Sequence, residues 1–292
     1  MTENPLLRSY LTAAGVASGR EGQADATLRR GQFHDVVLIG DMAYRFPRDE
    51  ESRRLLPSRV AVLRLLGACP MPVAVPGLRS DAAVGWPLGR CHAVLQRVPG
   101  EPIEPDQLAG PAATAAAIAD LAELLDQLAA LGSDAAVRRA VPPADPRSWQ
   151  RFADDVSGVL FPLMSAEGRA RAQGELSRVQ ALDPAGEALV HGDLGGTNLL
   201  WTLAEPGPRL TGILDWDEAH IGSQADDLAS LAVTLGWPLA TKLDARRHHG
   251  RTPTVAAARA IAATFALQQA LPAALSEDKE ALDDGLSGYR ES

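Results

Sequence analysis

One stretch of the chain brings together a carboxylate, an amide and a second carboxylate, each beside an apolar segment. Asp193 follows a short apolar segment, Asn198 comes five residues after it, and Asp215 ends a second apolar segment. A carboxylate such as Asp193 can orient a hydroxyl group or accept its proton. Asn198 and Asp215 offer hard oxygen ligands, which suit Mg²⁺ because this ion takes few protein ligands and completes its shell with phosphate and water. The set therefore indicates phosphoryl transfer, in which catalysis is mostly positioning and charge neutralisation around a γ-phosphate.

Each part of this set also has an ordinary structural interpretation when it is taken alone. His191-Gly192-Asp193 suits a tight turn, because Asp and Gly are common turn residues. An apolar run that ends in Asp215 is equally common. The order of the parts, with strand-like residues on either side of each, favours the catalytic interpretation.

The elements around these residues divide the chain into a strand-rich part and a helical part. Composition changes near Gly100, where alanine-rich sequence begins. Before that point we expect a polar helix, a hairpin that turns at Gly40-Asp41, a second helix and a further strand, at residues 1–30, 36–46, 60–66 and 91–98. After it we expect amphipathic helices, a short strand and a second hairpin, at residues 111–131, 148–180, 188–190, 199–214 and 255–271.

The segment from His191 to Asp215 resembles the catalytic core of the aminoglycoside phosphotransferase family, whose fold is protein-kinase-like. That family shows His-Gly-Asp, an Asn in the position of Asn198, and an apolar-apolar-Asp-Trp segment further along the chain. Residues 219–229 are similar to the segment that follows in the family. The resemblance implies a bilobal α+β fold. A small N-terminal nucleotide-binding lobe with an antiparallel sheet would cover residues 1–98, and a larger, mainly helical lobe for catalysis and substrate binding would cover residues 99–292.

The resemblance also implies roles for the residues of the catalytic core. Asp193 would be the catalytic base, and Asn198 and Asp215 would be the metal ligands. His191 would brace the catalytic loop, and Asp227 would support the same loop from the following helix.

The nucleotide contacts implied by the resemblance fall in the first hundred residues. Gly31 and Phe33 would belong to the phosphate-covering hairpin, with their backbone amides near the phosphates. Gln96 and Val98 would hold the purine edge through a backbone carbonyl and a backbone N–H. Arg45 would bind the α- and β-phosphates from the third strand.

Arginine supplies nearly all the positive charge of the chain, since lysine occurs only at positions 242 and 279. The usual strand lysine is therefore absent, and Arg45 can replace it because a guanidinium binds phosphate oxygens through a planar fork. On the next helix, Arg59 stands where the family usually has a glutamate that pairs with the strand cation. Two arginines would repel each other unless a phosphate or an acid lay between them. Glu50 and Glu51 are candidates for that acid.

The charge of the whole chain bears on its partners. The formal net charge is -9, which makes nucleic acid and anionic membranes poor partners and favours a cationic substrate. Several acids could attract such a substrate: Asp217, Glu218, Asp226 and residues 277–284. The sequence has no apolar run long enough for a membrane-spanning helix. Two cysteines, Cys69 and Cys91, are too few for a disulfide framework, so a cytoplasmic location is expected.

The sequence therefore predicts a small-molecule kinase that uses Mg²⁺ and transfers the γ-phosphate of ATP or GTP to a hydroxyl of an aminoglycoside-like antibiotic. A macrolide kinase or a metabolite kinase fits the same residues. A pseudokinase that binds nucleotide without turnover is a further alternative, which Arg59 motivates. A eukaryotic-type protein kinase is disfavoured, because the chain has His-Gly-Asp in place of His-Arg-Asp and lacks Asp-Phe-Gly.

Overall fold

The computed structural model describes residues 4–16, 26–31, 33–183, 185–205 and 207–290, and these form two compact units. The first unit combines the described residues of Met1–Pro102 with Asn198–Leu203 and Arg209–Asp217. The second unit contains those of Ile103–Thr197, Ala204–Pro208 and Glu218–Ser292. None of the described helices has the length and apolar character that a bilayer crossing requires.

A five-stranded antiparallel sheet is the framework of the first unit. Its strands are β1 (Thr27–Arg30), β2 (His34–Ile39), β3 (Met42–Pro47), β4 (Leu78–Ser80) and β5 (Ala93–Gln96), in the order β1-β2-β3-β5-β4. β2 and β3 form the predicted hairpin, with Ile39 opposite Met42. Gly40 in its turn has a φ of 56°, a conformation that glycine adopts without strain.

Residues 27–30 form β1 and not the end of the predicted N-terminal helix. The helix, α1, spans only Pro5–Ala13. β1 is an edge strand that pairs with β2 alone, and its residues are mostly exposed. Its sequence therefore lacks the apolar alternation by which a strand is identified. Residues 17–25 of the predicted helix lie outside the described residues.

The helix α1 packs on the sheet through its one tyrosine. Tyr10 stacks on Phe46 of β3, with ring centroids 4.2 Å apart. The Tyr10 hydroxyl donates a hydrogen bond of 3.0 Å to the buried carboxylate of Asp35. Burial and this bond raise the pKa of Tyr10 to about 12, so the hydroxyl keeps its proton and its bond at neutral pH.

The helix α2 spans Glu50–Leu66, although the sequence predicted a start near residue 60. Asp49 caps it by accepting a hydrogen bond of 2.7 Å from the backbone N–H of Ser52, and this bond lowers the pKa of Asp49. The cap was missed because Pro57 and several charged residues interrupt the apolar pattern of the first turns. The buried residues nevertheless recur at helical spacing along one face: Ser52, Leu56, Val60 and Leu63.

A second hairpin belongs to the first unit and consists of β7 (Leu199–Thr202) and β8 (Arg209–Ile213). This hairpin was predicted, and it is confirmed. Gly212 of β8 approaches Val98 so closely that a Cβ on the glycine would lie 2.1 Å from Cγ1 of the valine. Gly212 also forms a parallel bridge with Ala74, which ties the hairpin to the connector that precedes β4.

The second unit is mainly helical. Its helices are α3 (Pro111–Leu131), α4 (Ala135–Ala140), α5 (Ser148–Val159), α6 (Ala166–Gln180), α7 (Ala225–Leu235), α8 (Trp237–Arg247), α9 (Val255–Ala262), α10 (Phe265–Leu275) and α11 (Lys279–Gly285). Its two strands, β6 (Ala188–Val190) and β9 (His220–Gly222), pair antiparallel. The predicted bounds of α3 and β6 are confirmed, and the combination of an antiparallel sheet with separate helices is the predicted α+β class.

The predicted helix at residues 255–271 is two helices, α9 and α10. The break falls at Thr264, which is fully buried. Its hydroxyl donates a hydrogen bond of 2.7 Å to the carbonyl of Ile261, an alternative to the regular helical bonding of the backbone.

Tyr289 anchors the C-terminal segment in the core of the second unit. Its ring is buried in the apolar cluster formed by α5, α6 and α10, and its hydroxyl donates a hydrogen bond of 2.6 Å to Glu175. The backbone N–H of Ser165 donates to the carbonyl of Tyr289. Gly168 of α6 lies so close that a Cβ there would be 1.9 Å from the same carbonyl oxygen.

Two glycine substitutions in α6 should therefore have opposite effects on stability. Gly168→Ala should lower the free energy of unfolding by about 1–3 kcal/mol, because the new methyl group forces the Tyr289 backbone away. Gly174→Ala should raise it by about 0.5–1 kcal/mol, because its Cβ meets only Arg178, at 3.8 Å, and alanine favours the helix. Urea unfolding of both variants measures the difference. Equal effects would contradict the close contact at Gly168.

Candidate active site

The segment predicted to cover the phosphates, in the first unit, turns between Gly31 and His34 and is held by an arginine. The backbone N–H of Gly31 donates to the carbonyl of His34 at 2.9 Å, and a Cβ on Gly31 would lie 2.7 Å from that oxygen. Arg48 donates its backbone N–H to Phe33 and its guanidinium to the Gly31 carbonyl, at 3.0 and 2.6 Å. Phe33 is exposed, and Gln32 lies outside the described residues. Backbone hydrogen bonds and the Arg48 guanidinium therefore fix the turn, and no side chain fits at Gly31.

Arg45 lies on β3 with a buried side chain. Its two terminal nitrogens donate to the two carboxylate oxygens of Asp217, at 2.8 and 2.6 Å. Nη2 also lies 3.1 Å from Oδ1 of Asp215. A forked pair of this kind fixes the plane of the guanidinium. Arg45 is thus a held cation beside the predicted metal ligand, and not a solvated strand residue.

Arg59 of α2 shares the same carboxylate. Nη1 of Arg59 lies 3.1 Å from Oδ2 of Asp217, an ion pair whose angle does not make a well-directed hydrogen bond. Arg59 faces the interior because it follows Leu56 by three positions on the buried face of the helix. Glu50, which the sequence offered as a partner, instead pairs with Arg53. The acid between the two arginines is therefore Asp217.

The prediction that Asp217 is a surface acid is wrong. Its side chain is 7% exposed and bound by two arginines, so it is not a surface acid that attracts a substrate. Trp216 beside it is also buried. Asp226, predicted for the same purpose, accepts a hydrogen bond of 3.1 Å from His220.

His34 completes this group as a neutral side chain. Arginine only donates hydrogen bonds, so Nδ1 of His34 accepts the bond of 3.1 Å from Nη2 of Arg45 and the proton sits on Nε2. Burial, with the neighbouring charges of Arg45 and Arg59, lowers the pKa of His34 to about 3. His34 therefore stays uncharged at neutral pH.

Asn198 and Asp215 lie at the ends of the β7–β8 hairpin. The backbone N–H of Leu214 donates to the Asn198 carbonyl at 2.9 Å, which holds the two ends together. Asp215 has a φ of 57°, a conformation that is uncommon for residues other than glycine and is concentrated at functional sites. Its side chain is half exposed. One amide and one exposed carboxylate are hard oxygen donors of the kind that Mg²⁺ takes.

The predicted catalytic loop belongs to the second unit and follows β6. Gly192 has a φ of 87°, and a Cβ on it would lie 2.5 Å from the carbonyl oxygen of Glu218, so only glycine fits there. Asp193 is exposed, and its backbone N–H donates to Nδ1 of the buried His191 at 3.2 Å. The loop therefore turns tightly at Gly192, and Asp193 lies on its exposed side.

Asp227 of α7 binds the backbone of this loop from inside the unit. Its two carboxylate oxygens accept hydrogen bonds from the N–H groups of His191 and Gly192, at 3.1 and 3.0 Å. Complete burial raises the pKa of Asp227 to about 7, and the two backbone bonds oppose that rise.

The predicted hinge follows β5 in the first unit. Gln96 pairs with Met42 of β3, and its backbone N–H donates to the Gly77 carbonyl at 2.7 Å. Val98 is buried. Gly100, with a φ of 106°, then turns the chain where a Cβ would meet Thr211 at 2.6 Å. The segment is therefore held on both sides of Val98.

Sequence reasoning missed three residues of the first unit: His34, Arg48 and the role of Asp217. His34 and Arg48 flank the predicted hairpin, and only their contacts distinguish them from ordinary strand residues. For Asp217 no local signal was present, because Asp215, on the other side of the same buried Trp216, is half exposed.

Replacement of Asp227 by asparagine should destabilise the loop. Asp227→Asn turns one of two acceptors into a donor that faces a backbone N–H. The unsatisfied buried group should lower the free energy of unfolding by about 1–3 kcal/mol. Asp226→Asn is the matched control, because it removes a partly exposed pair worth about 1 kcal/mol or less. Chemical unfolding distinguishes them, and equal losses would contradict the role of Asp227.

The raised pKa of Asp227 also predicts a pH dependence. The folded state keeps a proton on this carboxyl between pH 3.8 and about 7, where the unfolded state has lost it. This contribution to stability is present below pH 3.8 and is lost as the pH rises through about 7. Unfolding free energies of the wild type and Asp227→Asn across that window should differ in slope, and parallel curves would refute the shift.

Comparison with known proteins relates this geometry to a family. The phosphotransferase enzyme family matches residues 25–261. Viomycin phosphotransferase from Streptomyces vinaceus is 41% identical over 263 residues, which cover 90% of this chain and 92% of that protein.

Solved structures share the fold. The GDP complex of wild-type aminoglycoside 2'-phosphotransferase-IIIa has a TM-score of 0.77 and 23% identity, and covers 96% of this chain and 94% of that chain. Macrolide 2'-phosphotransferase MphH from Brachybacterium faecium has a TM-score of 0.66 and 20% identity, and covers 92% of this chain and 94% of that chain. These likenesses confirm the predicted fold class. With the family match and the 41% identity, they show that the chain belongs to the phosphotransferase enzyme family.

Proposed function

We propose that this phosphotransferase transfers the γ-phosphate of ATP or GTP to a hydroxyl of a cationic antibiotic, of the viomycin or aminoglycoside kind. The observation that carries the proposal is the extent of the family match, since residues 25–261 include Arg45, Asp193, Asn198 and Asp215. In this proposal the nucleotide contacts lie within residues 1–98, and the catalytic and substrate contacts within residues 99–292.

The chemistry proposed for Asp193 is proton acceptance. Asp193 orients the acceptor hydroxyl and takes its proton as the hydroxyl oxygen bonds to the γ-phosphorus. The bond from that phosphorus to the bridging oxygen of the β-phosphate breaks, and the nucleoside diphosphate leaves. His191, Gly192 and Asp227 keep the loop that carries Asp193 in a single conformation, through the bonds of the Asp227 carboxylate.

The nucleotide is proposed to bind through residues of the first unit. The hinge backbone at Gln96 and Val98 takes the purine edge, and Phe33 takes the phosphates through its backbone amide. The predicted contact of the Gly31 amide is not part of this proposal, because that N–H already donates to the His34 carbonyl. Arg45 supplies positive charge. Asn198 and Asp215 hold Mg²⁺, which when bound neutralises charge on the phosphate oxygens.

The substrate class is proposed from charge and from the viomycin relative. The formal net charge of -9 favours a cation. The acids of residues 277–284 are exposed, in contrast to Asp217. The related protein in Streptomyces vinaceus is a viomycin phosphotransferase. A macrolide or a metabolite alcohol is the second candidate, supported by the fold shared with a macrolide 2'-phosphotransferase.

The pseudokinase alternative depended on Arg59 standing in place of an acid. Asp217 supplies an acid to Arg45 and Arg59. These ion pairs support a kinase with turnover over the pseudokinase alternative.

The acceptor is tested by release of ADP or GDP from purified protein with viomycin, kanamycin, a macrolide and a simple alcohol. Turnover with viomycin or kanamycin, lost on removal of Mg²⁺, is the expected result. Turnover with the macrolide or the alcohol alone would assign the second candidate. No turnover with any acceptor, in a protein that binds nucleotide, would overturn the proposal.

Substitution of Asp193 tests the proposed base. Asp193→Ala should lower kcat by a factor of about 10²–10⁴, the usual contribution of a general base, with the KM for nucleotide nearly unchanged. Glu123→Ala, on the exposed face of α3, is the control and should leave both constants as in the wild type. Unchanged turnover in Asp193→Ala would remove Asp193 from this role.

A further inference from the structure

Asp217 lies in a cluster of charged side chains that has more positive charge than a simple ion pair contains. The side chains of Arg45, Arg59 and Asp217 are 10%, 11% and 7% exposed. Two arginines therefore share one carboxylate in a nearly closed environment. The other acid in contact with Arg45 is Asp215, whose side chain is 51% exposed. Without Asp215, the group has an excess of positive charge.

That excess lies beside residues proposed to bind a polyphosphate. Asp217 binds both terminal nitrogens of Arg45, which fixes the plane of that guanidinium, and its Oδ2 lies 3.1 Å from Nη1 of Arg59, which it attracts by charge. Asp215 lies 3.1 Å from Nη2 of Arg45 through one oxygen. A guanidinium carries five N–H donors, and with the terminal fork of Arg45 bound to Asp217, the direction of the remaining donors decides whether they can reach a phosphate.

We propose that Asp217 is a positioning residue for phosphate transfer: it orients Arg45 for the phosphates of the nucleotide, and Arg59 holds its carboxylate in place from α2. The inference rests on the proposed function and deepens it, because it gives Asp217 the place of an acid on α2. Asp217 follows Asp215 by two residues. The segment that carries the proposed metal ligand therefore also carries the residue that orients Arg45.

The alternative is that the three side chains form a purely structural cluster. His34 supports the positioning role over a structural one. Its Nδ1 accepts a hydrogen bond from Arg45, and its low pKa keeps it neutral, so that no third positive charge joins the cluster. The cluster is thus neutral only while both Asp215 and Asp217 face the arginines. A purely structural cluster has no need for a partner that is half exposed.

The test is nucleotide affinity in a charge-exchange series. The dissociation constants of ADP and GDP are measured by calorimetry without acceptor, for the wild type, Asp217→Asn and Asp217→Asn/Arg59→Glu. Asp217→Asn should weaken the affinity about tenfold or more, as expected when a charged partner is lost. The double variant should recover most of it, because the Arg59→Glu substitution returns a negative charge to Arg45 from the helix side. In turnover assays, the KM for nucleotide should follow the same order.

The control is Asp81→Asn, which removes the exposed ion pair between Asp81 and Arg64. Arg64 lies on α2, as Arg59 does. Its nucleotide affinity should stay within about twofold of the wild type, since exposed pairs contribute little. Circular dichroism and thermal unfolding report whether each variant folds. If Asp217→Asn does not fold, the double variant decides: nucleotide binding near the wild-type affinity supports the inference, and a folded double variant that does not bind overturns it.

The remaining outcomes separate this inference from the proposed function. Wild-type affinity in Asp217→Asn, or a double variant no better than the single one, would overturn the role of Asp217 while the wild type still turns over an antibiotic. A wild type that binds nucleotide but turns over no acceptor would overturn the proposed function and leave the affinity series valid. A wild type that binds neither ADP nor GDP would overturn both.

Discussion

One buried carboxylate, that of Asp217, holds two arginines of the first unit in place. Two unit positive charges about 4 Å apart repel by about 4 kcal/mol at an effective dielectric constant of about 20. Arg45 on β3 and Arg59 on α2 would therefore repel each other if no acid lay between them. The carboxylate converts this repulsion into attraction from both sides. This balance of charge also requires His34 to be neutral, because its protonation would restore the excess of positive charge.

Much of the fold and of the candidate site could be predicted because the signals are local in the chain. Asp193, Asn198 and Asp215 lie in one stretch, each beside an apolar segment that forms a strand. The β2–β3 and β7–β8 hairpins have their turn residues within them. A family resemblance over this stretch was enough to predict the fold class, which the solved structures confirm. The fold does not choose the acceptor, since aminoglycoside and macrolide phosphotransferases share it.

The partner of Arg45 and Arg59 could not be predicted, because it is distant in sequence. Asp217 is separated from Arg45 by 172 positions, and no periodicity links the two. Aspartate is also mostly exposed in proteins, so its interpretation as a surface acid followed the general rule. Glu50 was the nearer candidate and was wrong, since it pairs with Arg53 within α2. The start of α2 was mispredicted for a similar reason. Its charged first turns are stabilised by a cap and by packing, which the apolar periodicity of the sequence does not show.

The placement of Tyr289 and of Asp217 has a consequence for synthesis on the ribosome. The apolar cluster of the second unit closes around Tyr289, near the end of the described chain. The first unit includes the segment Arg209–Asp217, made long after its sheet. Domains tend to fold in order as they emerge, but here neither unit has all its parts until late in translation. The nascent sheet and helix α2 therefore emerge before Asp217, the acid that pairs with Arg45 and Arg59.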